Sequence, residues 1–166
     1  MNSMNVIDEA GILAIATRMQ RLSDRMRKDG SLIYKACGVD FEPKWFPVIY
    51  TLHKRTVLSV VEIATEIGYA HPSTIGLLKE LEKEKLIVSR RDKGDERKRL
   101  IRLTEKGKAL VEKMRPVWEI IIAATAELIN TKNNLMQAIM EVEDAFDKQS
   151  FLQRAKVNMG KMGKLL

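Results

Sequence analysis

Apolar residues recur along this chain at alternating spacings of three and four, which predicts a mainly helical fold. One long helix is expected over 6–36, because its apolar seam continues without a break to the stop signal at Gly38. That seam consists of Ile12, Ile15, Met19, Leu22 and Met26. Further helices are predicted at 44–54, 58–67, 72–84, 104–130, 132–148 and 150–159.

A helix-turn-helix pattern occupies 58–84. Two short helices are joined by residues 68–71, which begin with glycine, and Pro72 suits the first turn of the second helix. The spacing of apolar residues places one face of the second helix inward: Thr74, Leu77, Leu78 and Leu81. The outward face near its N-terminus then carries His71, Ser73, Ile75, Gly76 and Lys79.

The next segment, 86–103, has the pattern of a β-hairpin, since two short apolar runs flank a polar tip that contains Gly94. Between Ser89 and Arg102 seven basic residues stand against three acidic ones, which gives a local charge of +4. The basic residues are Arg90, Arg91, Lys93, Arg97, Lys98, Arg99 and Arg102. A protein core would not hold this charge, whereas the grooves of double-stranded DNA attract it. The sequence therefore predicts a DNA-binding winged helix-turn-helix head over 44–103.

Composition narrows the expected partner to a polyanion. The 166 residues carry a formal net charge of +7, and the pI is near 9.5. Cys37 is the only cysteine, and with two histidines besides it no disulfide, metal site or cofactor is predicted. The N-terminus lacks a secretory signal and no apolar run could span a bilayer, so we expect a cytoplasmic protein with no membrane partner.

The helices outside the head carry more apolar surface than one small core can bury. They lie at 6–36 and 104–160, and their apolar stripes are too wide to remain in water. We therefore expect a helical dimerisation region that closes a symmetric homodimer.

The hairpin tip and its continuation resemble those of the MarR (multiple antibiotic resistance regulator) family of bacterial transcription factors. The resemblance rests on Asp95-Glu96-Arg97 and on Leu103-Thr104-Glu105-Lys106-Gly107. Three further motifs are similar to a subgroup sometimes fused to a GNAT-type acetyltransferase, a domain not expected here: Trp45-Phe46-Pro47, His71-Pro72 and Arg115-Pro116-Val117-Trp118. The resemblance implies one MarR-like domain over 1–166, which dimerises and represses transcription from pseudo-palindromic operators. It also implies a small-molecule effector, such as a phenolic ligand, or an oxidant that releases the DNA.

The resemblance and the charge pattern together assign roles in DNA binding. Arg97 is expected in the minor groove, with Asp95 orienting an arginine. The remaining basic residues are expected to contact phosphates: Arg90, Arg91, Lys93, Lys98 and Arg99. On the recognition helix, Ser73 can contact a phosphate or a base, Ile75 a thymine methyl, and Gly76 permits close approach.

The outward face of the recognition helix offers few side chains that could distinguish one base from another. No arginine stands on it, so we expect a larger contribution from DNA shape than from direct readout. The chain also departs from the family at Ala70, Ile75 and Gly76, where polar residues are common. His71 is expected to cap the helix or to contact a phosphate rather than to act in catalysis.

Several alternatives stay open at the level of sequence. Ile75 could pack against a neighbouring helix, and the charged hairpin could be a solvated surface. The winged helix could bind a protein instead of DNA, or the chain could be part of an acetyltransferase, although no catalytic grouping or phosphate loop is recognisable. One set of aromatic and methionine residues is either core or an effector pocket: Met19, Trp45, Phe46, Tyr50, Met114 and Trp118.

Overall fold

The computed structural model describes residues 5–92, 94 and 98–162, and it confirms a mainly helical fold with a small antiparallel sheet. Its helices and strands are, in chain order, α1 (Val6–Glu9), α2 (Ile15–Ala36), α3 (Phe46–Arg55), β1 (Val57–Ser59), α4 (Val60–Ile67), α5 (His71–Lys83), β2 (Ile87–Arg91), β3 (Arg99–Leu103), α6 (Glu105–Ile129), α7 (Leu135–Lys148) and α8 (Phe151–Met162). Short 3-10 helices precede α2, at Gly11–Ala14, and α3, at Pro43–Trp45. The chain divides into two compact units after Ile121, within α6.

The expected long helix over 6–36 is interrupted, so the sequence prediction is wrong in this respect. Gly11 adopts φ +57°, a left-handed conformation that favours glycine and that a right-handed helix does not contain. α1 therefore ends at Glu9, and α2 begins only at Ile15. In the 3-10 helix between them, Ile12 and Leu13 are 89% and 88% exposed. The apolar seam is thus split into α2 and a separate N-terminal segment.

α4, the turn and α5 form the predicted helix-turn-helix. α4 begins with a capping box, in which the Ser59 hydroxyl accepts from the Glu62 amide and the Glu62 carboxylate accepts from the Ser59 amide. Gly68 ends α4 at φ +68°, and α5 starts after Ala70, which provides no side-chain cap. The buried side chains of α5 belong to the face that the sequence predicted to be inward: Thr74, Leu78 and Leu81.

The predicted hairpin is present as β2 and β3, and a third strand joins it. β2 pairs with β3 in antiparallel register, with Ile87 opposite Leu103. β1 pairs with the other edge of β3, so the strand order is β1-β3-β2. The sequence prediction placed 58–67 wholly in a helix and missed β1, because three residues are too few to show the alternation of a strand. Since β1 leads directly into α4, the sheet is tied to the helix-turn-helix at Ser59.

A hydrophobic core joins these elements in the first unit. Fully buried side chains come from α3, α4, α5 and α6: Ile49, Leu52, Ile63, Leu81, Val111 and Met114. Burial of each such side chain contributes about 1.5–3 kcal/mol relative to exposure. Ile101 and Leu103 of β3 belong to the same core, so the base of the hairpin is part of the packed head.

The N-terminus of α6 is seated on the turn between α5 and β2. The Thr104 hydroxyl donates to the Lys85 carbonyl at 2.7 Å and accepts from the Gly107 amide at 3.0 Å. The Thr104 amide donates to the Leu86 carbonyl at 3.0 Å. A Cβ atom on Gly107 would lie 2.1 Å from that carbonyl oxygen. Threonine and glycine three residues apart are therefore required by the contact between helix and turn.

The second unit contains the end of α6 together with α7 and α8. The Asn134 side chain caps α7 by accepting from the Gln137 amide at 3.1 Å. The Arg154 guanidinium on α8 donates to the Ala145 carbonyl at 2.7 Å, which closes the turn between α7 and α8. Large apolar side chains on these two helices are exposed: Met136, Ile139, Met140, Val142, Phe146, Phe151, Leu152, Val157 and Met159. None of the described helices has both the length and the apolar character that crossing a bilayer requires.

Gly107→Ala should lower the free energy of unfolding by about 1–3 kcal/mol, because the added methyl overlaps a backbone carbonyl. Gly30→Ala is the matched control, since its nearest neighbour would be Pro43 Cγ at 3.7 Å. Alanine is also favoured over glycine inside a helix by about 1 kcal/mol. Urea unfolding measures both variants, and equal stabilities would contradict the close seating of α6.

Candidate nucleic-acid interface

The outward side of α5 is set by the burial of its inward face. His71, Ser73, Gly76 and Lys79 are exposed, and Ile75 is partly buried. The first-turn amides of α5 have no side-chain cap, and free amides at a helix N-terminus attract a phosphate. This end of the helix therefore combines an electropositive terminus with small or neutral side chains that would let a nucleic-acid backbone come close.

The hairpin strands carry their cations into solvent. Arg90 and Arg91 on β2 are exposed, as are Arg99, the first residue of β3, and Lys98 just before it. Asp92 marks the entry to the tip: its amide donates to the Lys98 carbonyl at 2.9 Å, and its carboxylate accepts from the Gly94 amide at 2.7 Å. Three predicted site residues of the tip lie outside the described residues, namely Lys93, Asp95 and Arg97.

A cleft of about 710 Å³ separates α5 from the hairpin, and we call it the helix–wing cleft. Five of the sequence-predicted site residues line it: His71, Ile75, Lys79, Lys98 and Arg99. Its apolar lining comes from α4, α5 and β3: Val60, Val61, Leu78 and Ile101. Ser73, Gly76, Arg90 and Arg91 are not among the lining residues. The fold thus brings the basic strand and the recognition helix to the two sides of one opening.

Comparison with known proteins agrees with this geometry. A sequence model of the transcriptional regulator SarA/Rot family matches residues 47–114, the segment from α3 through the hairpin into α6. No curated protein sequence matches the chain.

Solved structures extend the likeness beyond the head. The chain is similar to the transcriptional repressor CouR bound to a 23-mer DNA duplex, at 25% identity and TM-score 0.64, over 81% of this chain and 96% of that one. It is also similar to a mutant of MarR from E. coli in complex with operator DNA, at 14% identity and TM-score 0.67, over 85% and 98% of the two chains. BpsR from Bordetella bronchiseptica, whose DNA binding is regulated by 6-hydroxynicotinic acid, is similar at 24% identity and TM-score 0.58, over 77% and 98%.

The chain has the winged helix-turn-helix fold of these structures. In this fold the β2–β3 hairpin is the wing, and α5 stands at the position of the recognition helix. The predicted fold class, a winged helix-turn-helix head with additional long helices, is confirmed.

Ser89 is a residue of the candidate site that the sequence prediction missed. Its hydroxyl oxygen lies buried beside the helix–wing cleft without a hydrogen-bond partner among the described residues. A buried hydroxyl without a partner costs about 1–3 kcal/mol, so it favours any ligand oxygen that enters the cleft. Strand alternation was the available signal, because Ser89 and Ile87 lie on the same face of β2.

Glu62 is a second missed residue, and it places a negative charge in a basic site. Hydrogen bonds from Ser59 lower the pKa of Glu62, and the charge of Lys98, whose Nζ lies 3.7 Å from the carboxylate, lowers it further. The carboxylate therefore stays ionised and partly neutralises Lys98. No sequence pattern joins residues 62 and 98, because their proximity depends on the pairing of β1 with β3.

The aromatic and methionine set is spread over several environments. Phe46, Tyr50 and Trp118 contact one another, with ring centroids 5.2–5.8 Å apart. Met114 is fully buried in the core, and Trp45 packs on Phe41 instead. Met19, Phe46 and Tyr50 are exposed, so of this set only Met114 belongs to the buried core, with Trp45 and Trp118 packed against it. Among the described residues, no three His, Cys, Asp or Glu side chains come together as metal ligands would.

Ser59→Ala should lower the free energy of unfolding by about 1 kcal/mol at pH 7, because α4 loses its cap. The pKa of Glu62 is lower in the folded protein than its ordinary value of 4.5. The stabilisation by the ionised Glu62 carboxylate is therefore complete above the ordinary pKa, and it is lost as the pH falls through the pKa of the folded protein. The difference between wild type and variant should accordingly be smaller at pH 3 than at pH 7.

Urea unfolding at the two pH values measures this effect. Ser31→Ala, inside α2, controls for the loss of a serine hydroxyl from a helical segment. If the variant has the same free energy of unfolding as wild type at pH 7, the capping box does not stabilise the junction between β1 and α4.

Proposed function

We propose that this protein is a homodimeric, sequence-specific transcriptional regulator, acting as a repressor, that binds pseudo-palindromic operator DNA. One observation carries the proposal: the outward face of α5 and the cations of the wing open onto the same helix–wing cleft. The similarity to CouR and MarR structures that contain DNA supports it. The matched family and these neighbours are regulators, which supports a protein without enzymatic activity, acting in the cytoplasm where its DNA is found.

In this proposal α5 enters a major groove and the wing reaches the adjoining minor groove. The sugar–phosphate backbone between the two grooves then passes through the helix–wing cleft. Lys79, Lys98 and Arg99 would neutralise its phosphates, and the unpartnered Ser89 hydroxyl would donate to a phosphate oxygen. Arg90 and Arg91 extend the cationic surface along β2, and Arg97 remains the residue proposed for the minor groove.

Sequence preference would come mainly from DNA shape. The exposed part of α5 offers Ser73, Ile75 and Gly76 and no arginine, so bidentate contact with guanine is not available from this face. The wing favours a narrow minor groove with its enhanced negative potential. Selection from random duplexes should therefore return operators with A·T-rich segments beside each major-groove half-site.

The dimer would be closed by the apolar segments that the single chain leaves exposed. They include Ile12 and Leu13 in the first unit and the apolar faces of α7 and α8 in the second. Exposed apolar area of this extent marks an association surface. Two-fold symmetry would then place the two half-sites about 10 bp apart, so that both recognition helices meet the same side of the duplex.

Release of DNA by a small-molecule effector is the remaining part of the proposal. It is supported by BpsR, whose DNA binding responds to 6-hydroxynicotinic acid. A winged helix that binds a protein partner is the second candidate function, since the exposed Val61 side chain, which lines the cleft, could contact one. The two candidates differ in their response to salt, because only DNA releases condensed counterions on binding.

Lys98→Gln and Arg99→Gln should each reduce the slope of log K against log salt concentration by about 0.9, because each removes one phosphate contact. A duplex obtained by selection from random sequence is the ligand, and fluorescence anisotropy at several salt concentrations gives the slope. Lys113→Gln, an exposed lysine on α6 away from the cleft, should leave the slope unchanged. Salt-insensitive binding, or no duplex selected at all, would favour the protein-interaction module.

Ile139→Glu should convert the dimer to monomers and lower operator affinity sharply, since it places a charge on the apolar face of α7. Sedimentation equilibrium gives the association state, and circular dichroism verifies that the helices are retained. Gln137→Glu adds the same charge at an exposed position of the same helix and should remain dimeric. A wild-type protein that sediments as a monomer would contradict the dimeric part of the proposal.

A further inference from the structure

The recognition helix is held on one flank by a single carboxylate with two donors. Glu80 of α5 accepts from Trp45 Nε1 at 3.0 Å and from Lys44 Nζ at 2.7 Å, both on the same oxygen, Oε2. The two donors are adjacent in the 3-10 helix Pro43–Trp45, which precedes α3. This contact joins parts of the chain that are 35 positions apart.

The 3-10 helix that supplies these donors is itself anchored. The Trp45 ring meets the Phe41 ring edge-on, with centroids 5.9 Å apart, and Phe41 meets Tyr34 at 4.8 Å. Tyr34 and Phe41 are each 4% exposed. The Tyr34 hydroxyl accepts from Trp118 Nε1 at 3.0 Å, which extends the chain of contacts from α2 to α6. Glu80 is therefore bound to a fixed part of the head.

The position of Glu80 around the axis of α5 determines which movement of the helix this contact restrains. Successive residues of an α-helix are 100° apart, so Glu80 lies away from the cleft-lining residues Ile75 and Glu82, on the side of α5 that carries Ser73 and Gly76 nearer the N-terminus. Leu78 and Leu81 in the core fix how deeply α5 is seated. They resist rotation about the helix axis less well, because apolar contact is not directional. A hydrogen bond on the far flank resists that rotation directly.

We propose that Glu80 is a positioning residue that fixes the rotation of α5 through Trp45, and thereby the placement of its DNA-contacting face. The inference rests on the proposed function, since it concerns the specificity of DNA binding. In this role Glu80 acts through its hydrogen bond with Trp45 and not through a contact of its own with DNA.

The two donors contribute unequally. Lys44 and Glu80 are each about half exposed, and an ion pair of this kind adds little because water and salt screen it. The Trp45 N–H is partly buried, and its hydrogen bond is directional. Removal of the acceptor on Glu80 therefore leaves this N–H without a partner. The bond from Trp45 should therefore dominate, and the charge of Glu80 should matter less than its oxygen.

Four variants separate these contributions. Trp45→Phe keeps an aromatic ring and removes the donor, and Glu80→Met keeps the length of the side chain and removes the acceptor. Glu80→Gln retains an amide oxygen for Trp45, and Lys44→Met removes only the cation. Glu84→Met, at the exposed C-terminal cap of α5, controls for the loss of a glutamate from the same helix.

The first measurement is amide hydrogen exchange of α5 in the DNA-free full chain. Trp45→Phe and Glu80→Met should accelerate exchange in 77–83 by about 3-fold to 10-fold, the range that one hydrogen bond of ordinary strength sets. Glu80→Gln, Lys44→Met and Glu84→Met should stay close to wild type. Unchanged exchange in both of the first two variants would overturn the proposal.

The second measurement is the ratio of affinities for the selected operator and for an unrelated duplex. Trp45→Phe and Glu80→Met should lower this ratio by about 3-fold to 10-fold while the salt slope stays that of wild type. Accelerated exchange with an unchanged ratio would overturn the positioning role and leave a merely stabilising contact. If wild type prefers no duplex, the proposed function fails, and the exchange measurement still decides whether Glu80 holds α5.

Discussion

The architecture depends on the contact between the N-terminus of α6 and the turn between α5 and β2. The Leu86 carbonyl accepts from the Thr104 amide, and Gly107 is required because any side chain there would overlap that carbonyl. This contact joins the end of α5, the first wing strand and the start of α6 at one point. The spacing between recognition helix and wing is therefore fixed by covalent and hydrogen-bonded geometry rather than by flexible loops.

The proposed mode of DNA binding follows from that fixed spacing. With β2 held at its base, β3 pairs between β2 and β1, and β1 continues directly into α4. Lys98 and Arg99 consequently face His71 and Lys79 across the helix–wing cleft. Glu62 and Ser89 become part of the site only through this arrangement. Glu62 partly neutralises Lys98, and the Ser89 hydroxyl has no hydrogen-bond partner among the described residues. A rigid two-part surface suits the recognition of groove shape.

Much of this could be predicted from sequence, because it depends on local patterns. The inward face of α5, the turn at Gly68 and the antiparallel wing follow from spacing, glycine placement and alternation. The break at Gly11 was missed because a helical seam continues across it, and β1 was missed because it has three residues. The contact of Trp45 with Glu80 and the cleft position of Ser89 could not be predicted, since each depends on which elements become neighbours in the fold.

Groove-specific cleavage of operator DNA tests whether α5 and the wing read adjoining grooves as one unit. Cys37 is the only native cysteine, so a Cys37→Ser background can carry an iron chelate on one introduced thiol, from Ser73→Cys on α5 or from Lys98→Cys on the wing. We expect α5-tethered cleavage centred on a major groove and wing-tethered cleavage centred on the adjoining minor groove, repeated about 10 bp away in the other half-site. Cleavage of one groove by both probes, or cleavage from the α5 probe alone, would show that α5 and the wing do not read adjoining grooves together.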